Sequence, residues 1–450
     1  METQTSAKLM ELSSQPSLLH RHPDSSLQPH WQLTQVGVLL LPFSTLLGCL
    51  CFGVTAIVIW TKYANQLVQQ LVNQILLMLG AWMVIIALFA YDRPTALLGL
   101  VNFLPFFIVF TAQSYLIQSI AQLRHLAQLL VLTSIPVIVI GLGQLYLGWD
   151  GHVEILWVLV DWLIQKGGTP PGRMASVFFY ATVLASYLCV TFTLSLGLWL
   201  EQVQSHFPGK SSTGKSSIGL DYHWLWLAVT LLNGVALFLT NSRNAWGILL
   251  LVCLVFAIDR GWRWLVGIVS GVTGTIAAAA YAPDPINQPF RSIVPRLIWA
   301  RLNDQLYLDR PIPDQRSTQW QFAWKMIEQR PWTGWGLRNF SALYSESWNF
   351  YIGHPHNLPL MLMAEMGVPA TLIFIGAIGW VMVAGVRTWR SAMEEDDRLI
   401  LLTFLVTFMG CTLFCLLDIP LFDARINAMN WLILAAIWGV GQSRWRSVTR

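Results

Sequence analysis

The stretch GHPHNLPLMLMAEMG (353–367) carries the residue types best suited to proton transfer at a membrane surface. His356 and Asn357 directly precede an apolar run, and Glu365 follows about two helical turns later. Because an imidazole titrates near neutral pH, His356 is a candidate general base for a hydroxyl group. The alternative is a histidine that only packs at a helix end.

Two arginines lie where apolar runs meet short polar turns. Arg243 lies in NSRNAWG (241–247), and Arg173 lies in PPGRMASVF (170–178). Guanidinium groups bind phosphate oxygens well, and an arginine at a membrane edge is a candidate functional residue because its burial is costly. Arg243 could instead be a helix-end side chain that extends to the interface. The arginines and the histidine together predict a site where an anionic lipid headgroup, such as a lipid diphosphate, reacts with a hydroxyl.

Two further motifs suggest chemistry that their context does not favour. Residues 209–216 (GKSSTGKS) match the phosphate-loop pattern, but they lie in a short hydrophilic linker with no preceding strand, so a flexible linker is the better interpretation. His354 and His356 suggest a metal, yet no carboxylate or third histidine lies at ligand spacing. We therefore expect no nucleotide, no metal ion and no other cofactor.

The composition indicates a polytopic membrane protein. Of the 450 residues, 55% are hydrophobic and only 11% are charged, whereas soluble domains are about 25% charged. These values exclude a disordered chain, a coiled coil and an ordinary soluble enzyme. The cysteines all lie in apolar runs, so we expect no disulfide. A net charge of +4 without a long basic run gives no reason to expect a nucleic-acid partner.

A series of apolar runs predicts an all-α, polytopic membrane helical bundle. The runs lie near 35–60, 74–91, 95–112, 126–147, 176–200, 224–240, 245–258, 262–281, 357–385, 399–417 and 427–442. The first contains Pro42 and Gly48, and we expect two short helices there, which gives about 12 spans in one transmembrane domain, 32–450. Residues 1–31 are polar and lack the apolar core of a cleaved signal peptide, so we expect a cytoplasmic tail.

Lys and Arg residues in the short loops predict the orientation. They mark the C-terminal tail and several loops, which we expect to be cytoplasmic. The segments expected on the opposite, periplasmic side are 148–175, 241–244, 282–355 and 418–426.

The periplasmic loop 282–355 is long and charged. Within it, 316–330 (RSTQWQFAWKMIEQR) predicts an amphipathic helix that ends before Pro331. Its expected apolar face consists of Trp320, Ala323, Trp324 and Ile327. We expect this helix to lie at the outer leaflet, and the alternative is that it packs on the protein body.

These residues together resemble the O-antigen ligase/polymerase superfamily of bacterial membrane proteins. Ser242 and Arg243 resemble the family's Ser-Arg motif. Its His-Asn-x(7)-Glu-x-Gly signature is similar to His356, Asn357, Glu365 and Gly367. Its long-loop signature is similar to Arg316, Pro331, Gly334, Gly336 and Phe340. The chain departs from the family at 175–182 (ASVFFYAT), where members often have Gly-x-Phe and Asn-Pro-Asn, which weakens the assignment of Arg173.

The resemblance implies a GT-C-like glycosyltransferase fold in the inner (plasma) membrane, with its active face in the periplasm. It implies a donor glycan carried on undecaprenyl diphosphate. The acceptor hydroxyl would belong to the lipid A core, to another lipid-linked glycan or to a protein. Transfer would be inverting and independent of metal.

The resemblance also implies roles for individual residues. His356 would be the general base, and Arg243 and Arg173 would hold the diphosphate. Arg316 would be a further phosphate or sugar contact. The residues expected to orient the site are Ser242, Asn357 and Glu365.

We therefore expect a membrane glycosyltransferase of the O-antigen ligase or polymerase type. The sequence does not separate these two activities. The alternatives are a small-anion transporter and a non-catalytic component of a polysaccharide assembly. Transporters place polar groups near the bilayer midplane, whereas the polar residues here gather at one mouth, which disfavours transport.

Overall fold

The computed structural model describes residues 20–156, 160–206, 223–303, 305, 311–391 and 393–448, and nearly all of its regular structure is helical. The helices are α1 (Gln28–Leu40), α2 (Thr45–Val68), α3 (Leu71–Leu88), α4 (Arg93–Gly99), α5 (Leu104–Leu116), α6 (Ile120–Tyr146), α7 (Ala181–His206), α8 (His223–Leu239), α9 (Arg243–Asp259), α10 (Arg263–Tyr281), α11 (Asn287–Ile293), α12 (Arg296–Leu302), α13 (Arg316–Gln329), α14 (Asn339–Trp348), α15 (Leu358–Met366), α16 (Val368–Arg390), α17 (Glu395–Phe414) and α18 (Ala424–Val448). One antiparallel hairpin, β1 (Gly151–Ile155) with β2 (Val160–Ile164), accompanies them. The all-α prediction is confirmed. The GKSSTGKS motif (209–216) lies outside the described residues.

Eight segments in the described residues are long and apolar enough to cross a membrane. They are Thr45–Val68, Leu71–Leu88, Arg93–Leu116, Ile120–Tyr146, Ala181–Gln204, Arg263–Tyr281, Val368–Arg390 and Glu395–Phe414. The expected count of about 12 spans is not confirmed, since several apolar runs form shorter helices. Helix α1 has only 13 residues, and α8 and α9 have 17 each.

The first apolar run divides where the sequence predicts a division. Helix α1 ends at Leu40, α2 begins at Thr45, and Pro42 lies between them. The hydroxyl of Ser44 accepts from the backbone N–H of Leu47 and caps α2. The two helices pack against each other, although α2, with 24 residues, is longer than the short helix expected there.

The hydropathy of the run 357–385 suggests one continuous helix, but the structure has two helices there. The run breaks at Gly367, whose φ is +84°, into the short α15 and the long α16. A Cβ at this position would meet the backbone of Trp332. Since only glycine tolerates both the positive φ and this close approach, the break is specified by Gly367 together with the loop that packs on it.

Helix α13 occupies nearly the predicted residues and ends at Gln329, before Pro331. Its buried face differs from the predicted one, because Trp324 is 54% exposed whereas Met326 is buried. The buried residues Ala323, Met326 and Ile327 pack in a separate small core with Phe340 and Tyr344. This packing fixes α13 on the protein body and turns the rest of its surface outward.

Charged side chains tie together one end of the helical bundle. Arg124 forms ion pairs with Glu201 (2.7 Å) and Asp397 (3.3 Å), which joins the starts of α6 and α17 to the end of α7. Arg260, between α9 and α10, donates to Gln204 at 2.5 Å. These residues belong to, or adjoin, loops expected to be cytoplasmic.

The segments expected on the other side of the membrane meet at the opposite end of the bundle. Arg173 donates to Thr240 O (2.9 Å), beside the turn 241–244. Within 282–355, Arg301 donates to Asn241 O of that turn (2.8 Å). Asp418, in the segment 418–426, contacts His356, which directly follows 282–355. Every segment that carries a candidate site residue therefore lies at one end.

Close helix packing holds the C-terminal helix in the core. Helix α18 is buried along most of its length and packs against α5. At Gly439 the two backbones approach so closely that a Cβ would collide with the carbonyl oxygens of Ser114 and Ile117. This glycine therefore sets the distance between α18 and α5.

We expect Gly439→Ala to destabilise the protein by about 1–3 kcal/mol, because the added methyl group must force the two backbones apart. Thermal unfolding of the detergent-solubilised protein measures the loss. Gly376→Ala in α16 is the matched control, since a Cβ there meets nothing within 4 Å. Equal melting temperatures for the two variants would contradict the packing argument.

Candidate active site

The site is centred on His356, the residue just before the N-cap of α15. Its Nδ1 lies 3.2 Å from Asp418 Oδ1, and its side chain is 30% exposed. Its backbone has a φ of +53°, a conformation that non-glycine residues adopt uncommonly and that occurs at functional sites. The imidazole is therefore held by a specific partner while remaining accessible.

The Asp418 carboxylate is half-buried, with 14% of its side chain exposed, and it is anionic. Burial alone would raise the pKa of Asp418, but the hydrogen bond and charge of His356, with help from His354 and the Ile419 N–H, hold it below its ordinary value. An anionic acceptor at Nδ1 favours the tautomer with the proton on that nitrogen. The Nε2 lone pair of His356 is then available as a base, as in hydrolase triads.

His354 lies beside the His356–Asp418 pair. Its ring centroid is 4.5 Å from that of His356, and its Nε2 is 4.0 Å from Asp418 Oδ1. Burial, the neighbouring His356 and the positive charge of Arg316 lower the pKa of His354 to about 4 against the opposing effect of Asp418. His354 is therefore neutral near pH 7, and its interaction with Arg316 places that predicted residue close to the site.

The cluster of His354, His356 and Asp418 has the ligand types for a metal ion. Reasoning from sequence spacing missed this cluster because Asp418 comes from a distant segment. The His354 Nδ1, however, accepts the backbone N–H of His356 at 3.2 Å, which keeps the His354 proton on Nε2, the atom facing Asp418. That tautomer and the nearby charge of Arg316 oppose a bound cation.

Asn357 connects the histidine to the bundle. Its Oδ1 accepts from Leu360 N (2.9 Å) as the N-cap of α15, and its Nδ2 donates to Leu416 O (3.1 Å). The next residue, Leu358, donates its backbone N–H to Cys415 O (2.9 Å). The predicted orienting role of Asn357 has a physical basis in these bonds, which fix the start of α15 against the segment 415–418.

Three arginines converge on the turn between α8 and α9. Arg173 Nε donates to Thr240 O at 2.9 Å. Arg301 Nη2 donates to Asn241 O at 2.8 Å, and Arg243 Nη1 donates to Arg301 O at 2.7 Å. Ser242 caps α9 by accepting from Ala245 N (3.5 Å). The turn thus concentrates positive charge at a helix N-terminus, where anions are favoured.

The arginine cluster and the histidine share the chain segment 414–418. Asn244, next to Arg243, donates to Phe414 O at 2.9 Å. Arg243 lines a groove whose other wall includes Leu416 and Leu417. Since Asn357 donates to Leu416 O of the same segment, the two sets of predicted residues contact one short stretch of backbone.

Glu365 lies at the other end of α15, roughly 10 Å along the helix axis from its start. It is buried, and its Oε1 accepts the backbone N–H of Phe340 at 3.2 Å. The backbone of Gly336 also donates to Glu365 O (2.8 Å). The structure therefore separates Glu365 from His356. Glu365 instead holds the long-loop residues Gly336 and Phe340 through these hydrogen bonds.

Two residues that sequence reasoning missed belong to the site. Asp418 and Arg301 lie in segments expected on the periplasmic side, but their spacing from His356 and Arg243 forms no local motif. The sequence held one signal for these two residues. The topology predicted from Lys and Arg in the loops places both segments on the same side of the membrane as the turn 241–244. Only the folded chain shows that they are the partners.

A protein-family match covers the middle of the chain. Residues 228–375 match the family described as O-antigen ligase. This match supports the O-antigen ligase/polymerase superfamily. No curated protein matches the chain.

The O-antigen ligase match covers most of the motif residues and leaves out two side chains of the site. It includes Arg243, Arg316 and His356, whereas Arg173 and Asp418 lie outside it. The match supports a multi-pass membrane enzyme of the ligase/polymerase type that acts on glycans. The roles of individual residues rest on the geometry described above.

Burial raises the pKa of Glu365 to about 7 from an ordinary value of 4.5, despite opposing hydrogen bonds from the backbone of Arg338 and Phe340. The folded protein therefore retains a proton that the unfolded chain releases, and stability falls as pH rises from 4.5 to about 7. Glu365→Gln cannot titrate, so its melting temperature should rise relative to the parent between about pH 5 and about 8. A difference that stays constant across this range would contradict the assignment.

Proposed function

We propose that this protein transfers a glycan from a lipid diphosphate, undecaprenyl diphosphate, to an acceptor hydroxyl at the periplasmic face of the inner membrane. The contact between His356 and Asp418 carries the proposal. Asp418 ends the segment 414–418, and the first residue of that segment accepts a hydrogen bond from Asn244, next to Arg243. A base and an anion-binding cluster that both contact one backbone stretch suit a reaction between a hydroxyl and a diphosphate-linked sugar.

In the proposed reaction, His356 Nε2 takes the proton of the acceptor hydroxyl while the oxygen attacks the anomeric carbon of the donor glycan. The bond between that carbon and the diphosphate oxygen breaks with inversion, and its electron pair leaves with undecaprenyl diphosphate. Asp418 holds the imidazole in the required tautomer and stabilises the imidazolium that forms.

The arginines stabilise the departing group. Negative charge grows on the diphosphate as the sugar leaves, and preorganised guanidinium groups stabilise such charge without reorganisation. Arg243 lies at the N-terminus of α9, whose dipole adds to the positive potential. Arg173 contributes to the same cluster, and Arg316 contributes on the histidine side.

We expect His356→Ala to reduce glycan transfer by about 10²–10⁴-fold and Arg243→Ala by about 10²–10³-fold, because one loses the base and the other a charge contact. Surface polysaccharide of a deletion strain carrying each variant measures the effect at matched protein levels. Single repeats on core would indicate a polymerase, and bare core with accumulated lipid-linked glycan would indicate a ligase.

The matched controls are His152→Ala, an exposed histidine in β1, and Arg263→Ala at the start of α10. Both should retain normal surface polysaccharide. Unchanged polysaccharide in His356→Ala and Arg243→Ala would reject the proposed function, and anion uptake by purified protein in liposomes would then favour transport.

Asp418→Asn tests the role of the carboxylate as a positioning residue. An asparagine side chain can donate to Nδ1 and so favours the tautomer whose Nε2 already carries a proton. The turnover number should fall by about 10²-fold or more, while KM for the lipid-linked donor stays near the parent value. Equal changes in both parameters would instead indicate a general structural role.

A further inference from the structure

An apolar groove begins at Arg243 and extends along the outer surface of the bundle. Its volume is about 360 Å³, and it lies between α9 and the end of α17 with the residues that follow. It is lined by Arg243, Asn244, Gly247, Ile248, Leu251, Leu413, Leu416 and Leu417. Apart from the first two residues, every lining residue is apolar.

The polar residues occupy one end of this groove. The α9 residues that line it recur at helical spacing, so they form a single stripe along the helix. Arg243 and Leu251 are eight residues apart, which corresponds to roughly 12 Å of helix axis. A cationic side chain therefore lies at one end of a narrow apolar path that continues toward the middle of α9.

Gly247 determines the width of this path. It lies one turn below Arg243, and a Cβ at this position would meet no atom within 4 Å. Close packing between the helices does not account for this glycine. Deeper along the helices, a Cβ added at Gly410 of α17 would lie 3.2 Å from Ile248 Cγ2, so α9 and α17 pack closely there. The space next to the Gly247 Cα, where a side chain would lie, is therefore empty of described protein atoms.

The groove is accessible from the side of the bundle. Leu251, Leu416 and Leu417 are each 39% exposed, although they are apolar. Apolar side chains that remain accessible on the flank of a membrane protein suit contact with a lipid chain. The wall formed by Leu416 and Leu417 continues directly into Asp418, the partner of His356.

We propose that this groove holds the isoprenoid chain of the lipid diphosphate next to its headgroup, with Gly247 as a specificity-determining residue. The inference rests on the proposed function for the identity of the headgroup. Charge complementarity favours this occupant, since the cationic Arg243 suits an anionic headgroup and the apolar stripe below it suits a single apolar chain. A chain seated here holds the reacting sugar beside the His356–Asp418 pair.

Binding to the purified full-length protein in nanodiscs tests this inference without glycan or acceptor. The probes are undecaprenyl diphosphate and inorganic diphosphate, which carries the headgroup alone. Gly247→Leu fills the open space and should weaken undecaprenyl diphosphate binding by about tenfold or more, while inorganic diphosphate binding stays at the parent level. Gly247→Ala should give a smaller loss in the same direction.

Gly271→Leu is the matched control, because this α10 glycine also has nothing within 4 Å of a Cβ and lies outside the groove. It should bind both probes as the parent does, and thermal unfolding verifies that each variant is folded. Gly247→Ala keeps the test decisive if Gly247→Leu does not fold.

Three results would separate the possibilities. Undecaprenyl diphosphate binding that is unchanged in folded Gly247→Leu, or unchanged in Gly247→Ala when Gly247→Leu does not fold, would overturn the groove even where glycan transfer is intact. Stronger competition by a diacyl phosphatidic acid than by undecaprenyl phosphate would also overturn it and assign the groove to phospholipid. Selective loss of undecaprenyl diphosphate binding supports the groove, even if strains lacking the protein show normal polysaccharide and the proposed function fails.

Discussion

The candidate site depends on a short stretch of irregular backbone, residues 415–418, at the end of α17. Its carbonyl groups accept hydrogen bonds from the start of α15, and its last residue accepts from His356. Its two leucines form one wall of the groove that begins at Arg243. Because unsatisfied carbonyls at a helix end are costly when removed from water, binding α15 satisfies the backbone and places the histidine in one step. A change in this stretch would displace both halves of the site.

Glycines at positive φ make a second essential junction. The loop 331–336 lies against the break between α15 and α16, where Val368 N donates to Pro331 O (2.8 Å) and Trp335 N donates to Ala364 O (3.0 Å). Gly334 and Gly367 both have positive φ, and a Cβ at either would collide with the opposing backbone. The P-x-x-G-x-G part of the long-loop signature is therefore explained by backbone packing. It holds α15 at the angle that presents His356.

Two predicted site residues act through helix capping. Ser242 caps α9 and Asn357 caps α15, so two helix N-termini adjoin the arginine and histidine sides of the site. Helix N-termini carry partial positive charge, which adds to the field of the guanidinium groups. The same residues that begin each helix therefore contribute to the electrostatics expected of a diphosphate site. This arrangement connects local chain geometry directly to the proposed chemistry.

Local rules determined much of this protein from its sequence. Hydropathy identified a helical membrane protein, Pro42 marked the division of the first apolar run, and Pro331 marked the end of α13, since these features depend on neighbouring residues alone. The break at Gly367 and the exposure of Trp324 required the tertiary structure, because each depends on which distant surface packs there. The pairing of His356 with Asp418 depended most on the fold. Segments far apart in sequence meet only after the helices pack, and no spacing rule encodes that distance.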